Sequence, residues 1–227
     1  MKSIILGLMV AALAGDVLAI DKAGLDKRIR LLTTKFDALQ QLAEKRIPAD
    51  ILRKAQGMIL LDRTKAGFIF AYQGGAGVAL VRDPKTQEWS VPAFVHADEA
   101  SLGLQIGGEQ NFFVILIMDD SAMRLLTESK FEFGGEARGT AGDSSSGVEG
   151  KITPAERPVR VYDDRKGLFG GVSIKGGAVS PDTDANLVYY EQAVSMKDIL
   201  SGKNVKMSEA ATALIARIKQ YSTDAKP

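Results

Sequence analysis

The amino-acid sequence predicts an α+β protein: an antiparallel β-sheet or partial barrel flanked by N-terminal and C-terminal helices. Apolar residues recur every three or four positions near both ends of the chain, which is the helical period. Between residues 58 and 175 they come instead in short alternating or continuous runs divided by glycine and polar turns, which is the pattern of strands. No Pro-rich linker or internal repeat splits residues 20–227, so these are expected to form a single domain. A chain of 227 residues, 45% apolar and 25% charged, can bury one sizeable core.

Residues 1–19 are of another kind. Met1-Lys2 is a short basic start, Ile4 to Ala14 an apolar run too short for a bilayer, and Val17-Leu18-Ala19 a cleavage box. They read as a signal peptide cut after Ala19, with Ala12-Leu13-Ala14 as a second site, which predicts an exported protein, periplasmic or secreted and peripheral to a membrane. No Cys follows the apolar run, so attachment of the bacterial lipoprotein type is excluded.

Leu25, Ile29, Leu32, Phe36, Leu39 and Ala43 form one face of an amphipathic helix, expected to end near Ile47 because Pro48 disfavours helical geometry before it. Arg28, Lys35 and Arg46 lie along one flank, since spacings of seven and eleven nearly complete whole turns. A short helix over residues 49–56 should stop at Gly57. Strands are expected at Met58–Leu61, Gly67–Tyr72, Val78–Arg82, Trp89–His96, Leu102–Ile106 and Phe112–Met118. The last of these is apolar throughout, so both its faces should be covered. A helix capped by Asp119 or Ser121 runs through Leu126, and strands resume at Phe131–Arg138, Val148–Ile152, Val159–Asp163 and Leu168–Lys175. Gly139 to Gly147 reads as a loop, and helices over Tyr189–Leu200 and Ser208–Ile218 close the chain.

Composition narrows the chemistry. A net charge of +1 supplies no overall field for DNA or RNA, so no nucleic-acid partner is expected. No cysteine means no disulfide, thiolate nucleophile or Cys-ligated metal, and a single His (His96) excludes a multi-His site. Gly74-Gly75-Ala76-Gly77 leads into a strand with no Lys after it, so it reads as a tight turn, not a phosphate loop. His96, followed by Asp98 and Glu99, lacks a nucleophile partner. Asp119-Asp120 and Asp163-Asp164 lack the spacing of a calcium loop. No catalytic residue, metal or cofactor is expected, and the protein reads as not an enzyme.

Several segments in order resemble the SYLF-domain family, a lipid-binding module. They are Ile47-Pro48 with Leu52 and Ala55-Gln56-Gly57, then Gly74-Gly75-Ala76-Gly77-Val78, Trp89-Ser90-Val91-Pro92-Ala93-Phe94 and Gly103-Leu104-Gln105-Ile106-Gly107-Gly108-Glu109. Lys166-Gly167-Leu168-Phe169-Gly170-Gly171-Val172-Ser173 and Asn186 with Tyr189-Tyr190 and Asp198-Ile199-Leu200 complete the set, spread over residues 22–219. Asp163-Asp164-Arg165 departs from the Tyr-Ser that often precedes the Lys-Gly-Leu-Phe block in the family.

The resemblance implies non-catalytic binding of anionic phospholipid or phosphoinositide head groups at a membrane surface. In eukaryotic relatives an amphipathic N-terminal helix takes part in lipid contact, and residues 22–46 match it in position and character. The helical period then makes Leu25, Ile29, Leu32 and Phe36 the apolar face and Arg28, Lys35 and Arg46 the flank toward phosphates. Some fungal members also bind actin. The alternative reading is a cell-envelope structural or protein-interaction module, actin-binding-like, with an unidentified protein partner and no lipid ligand. The same apolar stripe can equally lie on the protein's own core.

Overall fold

The computed structural model describes residues 20–62, 74–98, 112–119, 126, 131–133, 159–164, 167–168 and 177–223. The signal-peptide segment 1–19, the expected strands at 67–72, 102–106 and 148–152, and the loop 139–147 lie outside the described residues.

Among the described residues eight strands form one sheet: β1 (Gly57–Asp62), β2 (Gly74–Val81), β3 (Ala93–Asp98), β4 (Phe112–Ile117), β5 (Phe131–Phe133), β6 (Val159–Asp163), β7 (Gly167–Leu168) and β8 (Gly177–Pro181). Their order is β5-β8-β3-β2-β1-β4-β6-β7, and every neighbouring pair is antiparallel. β1 to β3 run as a meander, and β4 then crosses to the far side of β1. Helices among the described residues include α1 (Lys22–Gln41), α2 (Ala49–Lys54), α3 (Thr183–Tyr190), α4 (Met196–Leu200) and α5 (Glu209–Thr223). The α+β class is as the sequence predicts.

Alternation along the strands sends side chains to two covered faces. Met58, Leu60, Leu80, Phe94, Val114 and Leu116 meet a layer built from α1, α2, α3 and α5. Ile59, Leu61, Val95, Ile115 and Ile117 form a second core with Met196, Ile199 and Leu200 of α4. β4 is therefore buried along its whole length, as its unbroken apolar run requires.

Four local details differ from expectation, each for a physical reason. α1 ends at Gln41, because the chain reverses through residues 42–46 and Gln40 takes over Ile47. The Gln40 Oε1 accepts from Ile47 N at 2.8 Å, and its Nε2 donates to Ile47 O at 3.3 Å, satisfying backbone groups that a helix would have paired. Gly74 to Gly77 is part of β2, not a turn; a Cβ on Gly77 would overlap the Leu60 carbonyl oxygen, so glycine permits the close approach of β2 to β1. The helix expected over 189–200 is two helices, divided at Glu191 with φ 57°, and the first begins earlier, capped by Asp182. β8, too short and too rich in Gly and Ser for an apolar run, escapes the sequence pattern.

Candidate binding surface on the first helix

α1 begins at Asp21, whose carboxylate accepts from Gly24 N at 2.7 Å and satisfies one of the orphan amides of the first turn. It packs parallel to α5. Near the start of both helices the Tyr189 hydroxyl of α3 donates to Asp26 Oδ1 at 2.8 Å and hydrogen-bonds the Ser208 hydroxyl that caps α5. Burial pushes the Tyr189 phenol up to about 12, so it stays protonated and able to donate. Further along, Phe36 meets Tyr221 edge-on at 5.7 Å, and Asp37 pairs with Arg217.

The apolar stripe of the sequence faces inward. Leu25, Ile29, Leu32, Phe36 and Leu39 are each at most 1% exposed, in contact with the sheet core. Burying five such side chains contributes on the order of 7–15 kcal/mol before conformational entropy is subtracted. That is comparable to the whole net stability of a domain, about 5–15 kcal/mol.

Two of the three basic residues of the sequence-predicted site are also turned to the protein. Arg28 donates to Asp182 at 3.4 Å, the residue that caps α3, and its guanidinium lies over the Phe94 ring at 5.8 Å. Lys35 Nζ lies 2.6 Å from Asp62 Oδ1 at the end of β1. Arg46 alone is exposed, in the turn after α1. The structure thus separates these residues: Leu25, Ile29, Leu32 and Phe36 in the core, Arg28 and Lys35 on the flank facing α3 and the sheet end, Arg46 in solvent.

The solvent side of α1 carries residues that a reading of the stripe and its flank passes over. Lys27, Arg30, Leu31, Thr34, Ala38 and Gln41 are all exposed and fall within an arc of about 100° at 3.6 residues per turn. From Ala23 to Gln41 this face holds no acid, because Asp26 and Asp37 point toward α3 and α5. Lys27, Arg30 and Arg46 make no ion pair among the described residues. Leu31 is 45% exposed and Leu42, just past the helix end, 40%. The signal that could have found this face is the set of positions opposite the apolar stripe; the exposed acids that flank it in sequence are Asp21 and Glu44.

The residues weighed for catalysis take structural places. His96 is in β3, opposite Ala76 and Ser180; Asp98 ends the strand and Glu99 is outside the described residues. Asp163 is fully buried in β6, while Asp164 Oδ1 accepts from Phe112 N at 3.3 Å and its carbonyl accepts from Lys45. Among the described residues no cluster of three or more His or acidic side chains could hold a metal ion. Among them, too, no helix is long and apolar enough to cross a membrane.

The described residues thus form a helix-covered antiparallel sheet whose first helix turns Lys27 and Arg30 to solvent. The family described as Ysc84, Las17-binding protein actin regulator, matches residues 98–221. The chain belongs to this family, which bears out the SYLF resemblance of its ordered motifs. It is 33% identical over 177 residues to Protein YSC84 of Saccharomyces cerevisiae, covering 76% of this chain and 37% of that one. It is 32% identical over 165 residues to LAS seventeen-binding protein 3 of the same yeast (71% and 36%). To the human SH3 domain-containing YSC84-like protein 1 it is 30% identical over 169 residues (74% and 49%). The chain thus spans between about a third and a half of the length of these relatives.

These relatives correct one expectation. An exported location, periplasmic or secreted, does not stand: the relatives of this chain are yeast and mammalian proteins of a family described as an actin regulator.

Proposed function

We propose that this chain is a non-catalytic module that binds anionic phospholipid head groups at a membrane surface. The observation that carries the reading is the solvent face of α1, where Lys27 and Arg30 project with Arg46 beyond them and no acid intervenes before Glu44. Each basic residue near an anionic surface contributes about 1 kcal/mol, so three together change affinity by about a hundredfold. The attraction falls with salt, because the Debye length shrinks from about 10 Å at 0.1 M to about 3 Å at 1 M. No step of bond making is assigned to the chain, and His96→Ala is expected to leave binding intact.

The test is co-sedimentation with phosphatidylcholine vesicles, with and without phosphatidylserine. The triple variant Lys27→Glu, Arg30→Glu, Arg46→Glu should stay folded and lose binding to the anionic vesicles. Equal binding to neutral and anionic vesicles, or full binding by the folded triple variant, would sink the reading.

A second reading is a protein-interaction module of the actin-regulator kind, favoured by the family description and by relatives named for binding Las17. Lipid-free co-sedimentation with filamentous actin tests it. Saturable binding to filaments, with none to vesicles, would put this reading first.

A further inference from the structure

We infer that α1 meets the membrane while still docked, as a rigid plate, and that its buried apolar stripe takes no part in the contact; this rests on the lipid-binding reading above. Lifting α1 would strip cover from both sides of one interface. A bilayer could receive Leu25, Ile29, Leu32 and Phe36, but the core of Met58, Leu60, Leu80 and Phe94, which α1 shields together with α2, α3 and α5, would lose α1's share of its cover. Lipid therefore returns only the helix's half of the buried area, and the sheet's half meets water.

The polar ties point the same way. Asp26 is held by Tyr189, Arg28 by Asp182, Lys35 by Asp62 and Asp37 by Arg217, so α1 is fastened to α3, α5 and the sheet along its whole length. Release would break all four ties at once.

The docked helix nevertheless offers what a peripheral membrane contact needs. Lys27 and Arg30 face outward to meet phosphates, and Leu31 and Leu42 stand exposed beside them at successive points along the axis. Two exposed leucines on a cationic face suit shallow insertion among head groups, with long basic side chains reaching the phosphates. The occupant is thus an anionic bilayer surface, touched by one helix face.

Because the chain has no cysteine, α1 can be locked selectively. The variant Asp37→Cys with Arg217→Cys, bridged by a short bis-maleimide, ties α1 to α5 across an existing ion pair. Bridged and unbridged protein should bind phosphatidylserine-containing vesicles within twofold of each other. Leu31→Ser with Leu42→Ser should weaken binding tenfold or more without unfolding. A bridged protein that loses binding tenfold while the unbridged one keeps it would overturn the docked mode and leave lipid binding standing. Absence of binding by the unaltered chain would overturn both.

The unaltered chain supplies a second measurement. Trp89, the single tryptophan, is buried in the same core layer as the α1 stripe. Its emission should stay unchanged as vesicles are added. A red shift at saturating vesicles would show that layer opening and would refute docking.

Discussion

The side-chain amide of Asn186 pairs with both backbone groups of Phe94: Phe94 N donates to Asn186 Oδ1 at 2.8 Å, and Asn186 Nδ2 donates to Phe94 O at 2.9 Å. β8 pairs with β3 only as far as Val95, and the chain then leaves the sheet for α3. Phe94 O also accepts from Asp182 N at 2.9 Å as the chain turns into α3, so the carboxamide shares that carbonyl and accepts from the buried Phe94 amide.

Asn186→Ala is therefore expected to destabilise the fold by about 1–3 kcal/mol, the cost of leaving a buried amide unsatisfied. Urea unfolding followed by circular dichroism measures it. A midpoint equal to that of the unaltered chain would mean that water or a backbone shift replaces the amide.

Gly77→Ala should be more damaging than an ordinary surface substitution. The added methyl collides with the Leu60 carbonyl, which is backbone and cannot rotate away, within the β1–β2 ladder, where Gly77 pairs with Leu61. Overpacking of this kind costs about 1–3 kcal/mol or more. The expected result is a lower unfolding midpoint or loss of soluble protein, and an unaltered midpoint would refute so close an approach.

Trp89 is buried against the helix layer, and the Arg82 guanidinium lies 4.6 Å from the centre of its ring. Arg82 also donates to the carbonyls of Leu52 and Arg53 at the end of α2, so one side chain joins the ring to that helix. Trp89→Ala should cost about 3–5 kcal/mol through lost packing. Arg82→Met keeps much of the contact over the ring and should cost less, a ranking that paired unfolding curves can check.

Asp83 gives a pH prediction. Its carboxylate accepts from the backbone amides of Thr86 and Lys85 in an exposed turn, and these bonds hold its pKa below the usual carboxylate value. Because the folded value is the lower one, its stabilisation is fully present above the ordinary aspartate pKa of about 3.9 and is lost as pH falls through the folded value. Carboxyl carbon titration by NMR should show Asp83 below a free aspartate. A midpoint at or above the free value would contradict the turn geometry.

Much of the fold was legible in residue patterns. The period of Leu25 to Leu39 marked α1, the unbroken Phe112–Ile117 run marked a strand covered on both sides, and Ser208 marked the cap of α5. The family, too, was legible, since its motifs keep their order along the chain. Boundaries were less so, because Gln40 reaching Ile47 and Glu191 in the left-handed region are contacts and dihedrals that no hydrophobic period encodes.

Sequence alone determined which residues of α1 are apolar, which are basic, and that they share a helix. Only the tertiary structure decided which face is available to a partner. Period fixes the angle between side chains about the helix axis, but not the direction in which the axis is rolled against its neighbours. That roll is set by the sheet core receiving Phe36 and Leu32 and by Asp182 and Asp62 taking Arg28 and Lys35. The face of α1 left exposed is therefore that of Lys27, Arg30 and Leu31, chosen by long-range contacts whose partners lie from 27 to 154 residues away in the chain.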